Sequence, residues 1–483
     1  MDAAAREAQA GLEWRVTVPE GASVTVEHEA GAVFRAWACL IAAMVTARSK
    51  VSGFAKRVWR IGADDPRKAA HGFKVGLALV LVSVFYYTRP LYDGVGGAAM
   101  WAIMTVVVVF EYTVGGSVYK CFNRAVATAS AGVLALGVHW VADKSGELEP
   151  FILSGSLFLL AAAATFSRFI PTVKARFDYG VTIFILTYSL VAVSGYRVDE
   201  LAALAQQRLS TIAIGIFMCL GVCVLICPVW SGQELHRLTV SNMKKLAGAI
   251  EGCVDVYFAE PATPAQAKSD GYKCVLNSKA SEDAQANLAR WEPAHGKFGF
   301  RHPYSHYAKI GAAMRGCAYC VEALNSCVVA EAQAPEHVKQ LLREVCARVG
   351  AQCARVLREA SRSVETMTSS RTLDFAVADM NTAVHELQGD MRSLPSMLAV
   401  KLSETSLMDM MPLFTVASLL VEISTRIEGV VDAVETLATL AEFKEASEDD
   451  DDKKRETTEM TKVHPLNEPD AEDASPENQA AKA

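Results

Sequence analysis

A chain of 483 residues, 51% hydrophobic and 21% charged with a formal net charge of -7, has room for about three domains. It lacks the basic surplus that marks a nucleic-acid partner. Its twelve cysteines form no compact framework, so they read as reduced thiols in a cytosolic setting rather than as a secreted disulfide scaffold.

In chain order, residues 1–33 mix Gly, Pro and acids. They lack the basic start, apolar core and small-residue cleavage site of a signal peptide. Phe34–Val45 is apolar but too short to span a bilayer, and reads as an interfacial or packing helix. A basic run follows: Arg48, Lys50, Lys56, Arg57, Arg60, Arg67 and Lys68, against Asp64 and Asp65. Lying directly before the first apolar segment, it assigns its own side to the cytosol.

Between Lys68 and Gly232 six apolar segments alternate with short charged connections: Ala69–Thr88, Val95–Phe110, Ala125–Val141, Phe151–Ser167, Tyr179–Ser194 and Leu209–Trp230. About 20 apolar residues cross ~30 Å of hydrocarbon, and ~17 suffice when flanking side chains reach the interface. Lys120, Arg124, Arg168, Lys174 and Arg176 fall on the cytosolic side of this pattern. Asp93, Asp143, Glu147, Glu149, Asp199 and Glu200 fall on the other side. Six crossings put both termini in the cytosol.

After Gly232 amphipathic helices begin. His236–Ala259 is the first, and Ile310, Met314, Cys317, Val321 and Leu324 stripe another. Pro335 suits the first turn of a helix running to about Met367. Leu413, Val416, Leu420, Ile423, Ile427, Val430, Val434 and Leu437 form a heptad seam, equally suited to a bundle core or a dimer contact. Asp449–Asp452 and three later prolines mark a disordered acidic tail. The expected fold is therefore all-α: a polytopic membrane protein with six transmembrane helices per subunit, followed by a cytosolic helical-bundle domain. Its expected parts are a basic amino-terminal region at 1–67, the membrane domain at 68–232, the bundle at 233–445 and the tail at 446–483.

Charges near membrane depth carry the functional reading, because a cation there needs water, a partner or an ion path. Lys120 and Arg124 share one helix face, Arg208 enters the sixth segment from the non-cytosolic side, and Lys74 lies one turn inside the first. Converging, they would form the cationic levels of an anion-selective pore. Glu111 reads as a gate or as the partner of a nearby cation, and Gly115-Gly116 as a tight reversal. Cys317 and Cys320, and His302 and His306, have ligand-like spacings without second pairs, so no metal, cofactor or catalytic constellation is expected. There is also no GxxxxGK[ST] phosphate loop.

Phe110-Glu111-Tyr112-Thr113-Val114-Gly115, with Lys120 and Asn123-Arg124 behind it, resembles the second-to-third-span signature of the plant aluminium-activated malate transporters. The Trp291, Glu292 and Pro293 triplet, inside Arg290-Trp-Glu-Pro-Ala-His-Gly-Lys-Phe, matches that family's cytosolic motif. The resemblance runs from about Asp64 to Glu445. It implies a homodimeric channel for malate and related anions, with its pore at the subunit interface and pore-lining arginine layers at Arg124 and Arg208. It also implies an extracellular acidic residue at Asp93; the moderate length and the short amino-terminal region, for their part, point to the plasma membrane rather than the vacuolar one. Two other functions compete with it: a proton-coupled exporter of aromatic or carboxylic acids working through Glu111, and a membrane scaffold that transports nothing.

Overall fold

The computed structural model describes residues 15–17, 23–25, 32–88, 99–195, 201–259, 270–299, 302–330, 333–401 and 407–445. Asp93, Asp199, Glu200 and the acidic tail lie outside them. The chain forms two compact units, Met1–Gly76 and Leu77–Ala483.

In the first unit β1 (Arg15–Thr17) pairs antiparallel with β2 (Ser23–Thr25), and helix α1 spans Ala32–Asp64. Phe34–Val45 is therefore no separate element. It continues into the basic run as one helix of 33 residues. Asp65 breaks the chain between helices: its carboxylate accepts the Arg67 N–H at 3.2 Å, and Pro66 opens α2 (Pro66–Tyr87) at a position where no backbone N–H is needed.

The second unit continues with α3 (Ala99–Val109), α4 (Val114–Asp143), α5 (Glu149–Ser167), α6 (Pro171–Gly195) and α7 (Leu201–Leu225). By length and composition α4 to α7 are all able to cross a membrane, α5 together with the 3-10 turn before it. Of the six expected crossings, the third to sixth coincide with these helices; among the described residues neither α2 nor α3 meets the same length and composition, α3 having 11 residues, a rise of about 16 Å. Several boundaries move: the fifth segment starts at Pro171 and the sixth at Leu201, ahead of the expected Tyr179 and Leu209. The third segment starts at Val114, so Lys120 and Arg124 lie inside the helix and not in the connection before it. The sixth ends at Leu225, where Cys227 takes a left-handed conformation (φ 42°) ahead of Pro228. Cys219 and Cys223 are fully buried packing residues of α7, while Cys227 lies past its end and is exposed.

Small residues let these helices approach. Ala131 and Ala135 of α4 pack on Tyr188, Val191 and Ala192 of α6, with Leu157 and Leu160 of α5 against them. The Tyr188 hydroxyl donates to Ser156 Oγ at 2.8 Å. Arg168 grips Asp178 with two bonds of 2.8 and 3.1 Å across the α5–α6 turn. Outward faces stay apolar: Phe158 and Phe166 of α5 and Phe217 of α7 are more than 70% exposed. That is the pattern of a lipid-facing or partner-facing surface.

The remaining helices bury their apolar stripes against each other. They are α8 (Ser231–Phe258), α9 (Gly271–Leu276), α10 (Lys279–Ala289), α11 (Tyr304–Val329), α12 (Glu336–Thr366), α13 (Arg371–Lys401) and α14 (Leu407–Leu440). α8 packs on α12, and α11 on α14. Met367 caps α12 in the left-handed conformation at φ 54°. The stripe from Ile310 to Leu324 is fully buried, and so is the α14 seam from Leu413 to Leu437. α14 also has the length and composition to cross a membrane, but its seam belongs to the bundle core, which settles the choice between bundle packing and dimer contact. A short parallel pair, β3 (Thr368–Ser369) with β4 (Lys444–Glu445), ties the end of α14 back to the α12–α13 turn.

Candidate functional site

α3, α4, α6 and α7 enclose a cavity of about 20 Å³ that has both Arg124 and Arg208 in its lining, with Trp101, Thr128 and Thr187. Arg124 is 6% exposed, and one of its terminal N–H groups donates to the Tyr179 hydroxyl at 3.4 Å. The Arg208 guanidinium lies 4.2 Å from the Trp101 ring centroid, a cation–π contact. The Nε of each arginine is buried with no hydrogen-bond partner among the described residues. A buried guanidinium N–H left this way is costly unless water or an anion meets it. The cavity has room for about one water, so within one chain the arginines line a space too small for a dicarboxylate.

Lys120 and Glu111 form an ion pair where α3 runs into α4. Lys120 also approaches the Val108 carbonyl at 3.4 Å and the Tyr179 ring at 5.5 Å. Tyr179 thus touches both cations of the α4 face. Lys74, on α2, is fully buried.

The Trp291, Glu292 and Pro293 segment forms a clamp. One Glu292 carboxylate accepts the backbone N–H of Gly115 at 3.1 Å, that of Ser231, and that of Gly232 at 3.0 Å. It therefore caps two helices at once, α4 and α8, at the positive ends of both dipoles. Val114 N–H reaches the Val229 carbonyl at 2.8 Å beside it. Gly115 is therefore no reversal: it is the second residue of α4, and a Cβ there would stand 2.4 Å from the Leu288 carbonyl oxygen. Trp291 packs on Tyr119 and Phe122 of α4 with centroids 5.6 and 5.2 Å away, and His295 stacks on Trp230 at 3.9 Å. Burial raises the Glu292 carboxyl above its ordinary value, and the three amides and His295 pull it back.

Behind the clamp the Tyr307 hydroxyl bridges His236 Nδ1 at 3.0 Å and His302 Nε2 at 3.2 Å. Burial lowers both imidazoles, His302 to about 4. Neutral rings suit the arrangement, because one hydroxyl donates to one ring and accepts from the other.

Sequence reasoning did not place Trp101, Tyr179 or Thr187 beside the arginines: Trp101 and Tyr179 contact them from other helices, and Thr187 lines the same cavity. Thr128 was within reach, since it follows Arg124 by one helical turn.

Comparison with known proteins bears on both regions. The family model for "Aluminium activated malate transporter" matches residues 59–404. Aluminum-activated malate transporter 10 of Arabidopsis thaliana is 48% identical over 464 residues, covering 88% of this chain and 93% of the relative. Aluminum-activated malate transporter 2 of the same plant is 43% identical, with 80% and 78% covered. Aluminum-activated malate transporter 1 of Triticum aestivum is 42% identical, with 80% and 86% covered. The chain belongs to the aluminium-activated malate transporter family.

Proposed function

We propose that the chain is a passive channel for malate and related anions in the plasma membrane, acting as a homodimer with its pore between subunits. Residues 68–232 cross the bilayer six times, residues 233–445 form a cytosolic bundle, both termini are cytosolic, and Asp93 faces outward. The observation that carries this reading is that Arg124 and Arg208 share one cavity with orphaned N–H groups. Guanidinium forks match carboxylates, and a second copy beside the cavity supplies the path that one chain lacks. With a negative cell interior, each exported charge gains about 2.3 kcal/mol per 100 mV, so efflux needs no nucleotide hydrolysis.

The proton-coupled alternative loses support because its carboxylate, Glu111, is held by Lys120. Reversal potentials of malate currents separate the two. A channel's reversal potential follows the malate gradient and stays in place when a proton gradient is imposed. Movement of the reversal potential with pH would establish the exporter instead.

A further inference from the structure

Beside the Glu292 clamp a groove of about 860 Å³ opens between the start of α8, the His295–Phe298 turn and the end of α12. Arg237, Lys244, Lys245 and Lys297 line it against one acid, Glu365. Its inner wall is aromatic: Trp230 and His295 are stacked, and Phe298 lies 5.4 Å from the His295 ring. The cations are only loosely occupied. Lys244 meets Glu365 at 2.7 Å with both groups about half exposed, Arg237 meets Glu234 at 2.9 Å, and Lys297 donates to the Thr366 carbonyl at 3.1 Å. Such exposed pairs contribute little and exchange readily for a better anion. Their field also reaches inward: Lys297 and Arg237 add to the burial that lowers His236.

We propose that this groove binds a nucleoside polyphosphate, its phosphates on Lys244, Lys245, Lys297 and Arg237 and its base against the Trp230, His295 and Phe298 wall. Size favours this over a dicarboxylate, which would leave most of the groove to water. Chemistry favours it as well. Four cations over one acid match several phosphate charges, and aromatic side chains accept a planar base by stacking. Side-chain cations here do the work that backbone amides do in a GxxxxGK loop. The occupant rests on Trp230 and His295, one residue before Ser231 and three after Glu292, so it presses on the clamp joining α4 to α8. The site stands apart from the transport reading and shares with it the assignment of the bundle to the cytosol, where nucleotides are.

Calorimetric titration of the purified full-length chain with ATP tests the site without any transport measurement. Expected is saturable binding with Kd below about 1 mM. It should weaken at least ~10-fold in the doubly charge-reversed Lys245→Glu, Lys297→Glu chain, whose exposed positions spare the fold, and His295→Ala should weaken ATP more than inorganic triphosphate. Absence of saturable ATP binding, or an affinity unchanged in the double variant, overturns the proposal. Triphosphate binding as tightly as ATP would leave a charge-only surface and overturns the base site. Binding to vesicles containing phosphatidylinositol bisphosphate, with ATP ignored, overturns the soluble-nucleotide assignment in favour of a lipid headgroup.

Discussion

At Glu292 one carboxylate accepts from the starts of two helices, α4 and α8. Truncation leaves three backbone N–H groups without an acceptor, each costly when buried. Glu292→Ala is therefore expected to cost about 2–4 kcal/mol. The check is thermal unfolding of detergent-solubilised chain, followed by size-exclusion fluorescence. Glu292→Gln keeps an acceptor oxygen but turns an amide N–H₂ toward backbone donors, so it recovers only part of the loss. Position alone singled out Arg124 and Arg208, since charge at membrane depth needs a reason. Their partners were not legible there. Tyr179 and Trp101 come from helices far along the chain, and a contact spanning that distance leaves no local pattern. For the same reason the Trp-Glu-Pro triplet was recognisable as a motif, while its capping role was not.

At the scale of elements, periodicity served well where burial is one-sided. The α11 and α14 stripes emerged fully buried at the residues their spacing selected. Ile423 sits mid-seam with no exposure, so Ile423→Ala is expected to destabilise the bundle by about 2–5 kcal/mol while leaving subunit association unchanged. Denaturant unfolding and light scattering on the same samples read the two effects separately. Boundaries were less legible. α4 begins at Val114 and not near Ala125 because Glu292, 177 residues away in sequence, fixes its first turn. The amino-terminal apolar stretch looked short because its basic continuation belongs to the same helix, α1. Hydropathy marks where a helix is greasy, not where its backbone starts.

For the whole molecule, two measurements probe how the bundle holds together. His236 and His302 are lowered by burial, His302 from 6.5 to about 4. The unfolded chain therefore binds more protons in that window, and stability falls as pH drops from about 6.5 toward 4. His302→Gln removes one titrating ring, so the difference between its melting curves and the parent's should shrink steadily over that range. Lys444 N–H bonds the Met367 carbonyl at 3.3 Å, closing β3 on β4. Truncation after Glu445 should leave expression and melting unchanged, whereas truncation after Leu440 should lower the melting temperature by a few degrees.

Anion current through the intact membrane protein bears most directly on the arginines. Voltage-clamp recordings with malate on the cytosolic side, at matched surface expression, should show Arg124→Ala and Arg208→Ala each lowering current at least ~10-fold. Currents equal to the parent's in both variants would contradict the pore assignment.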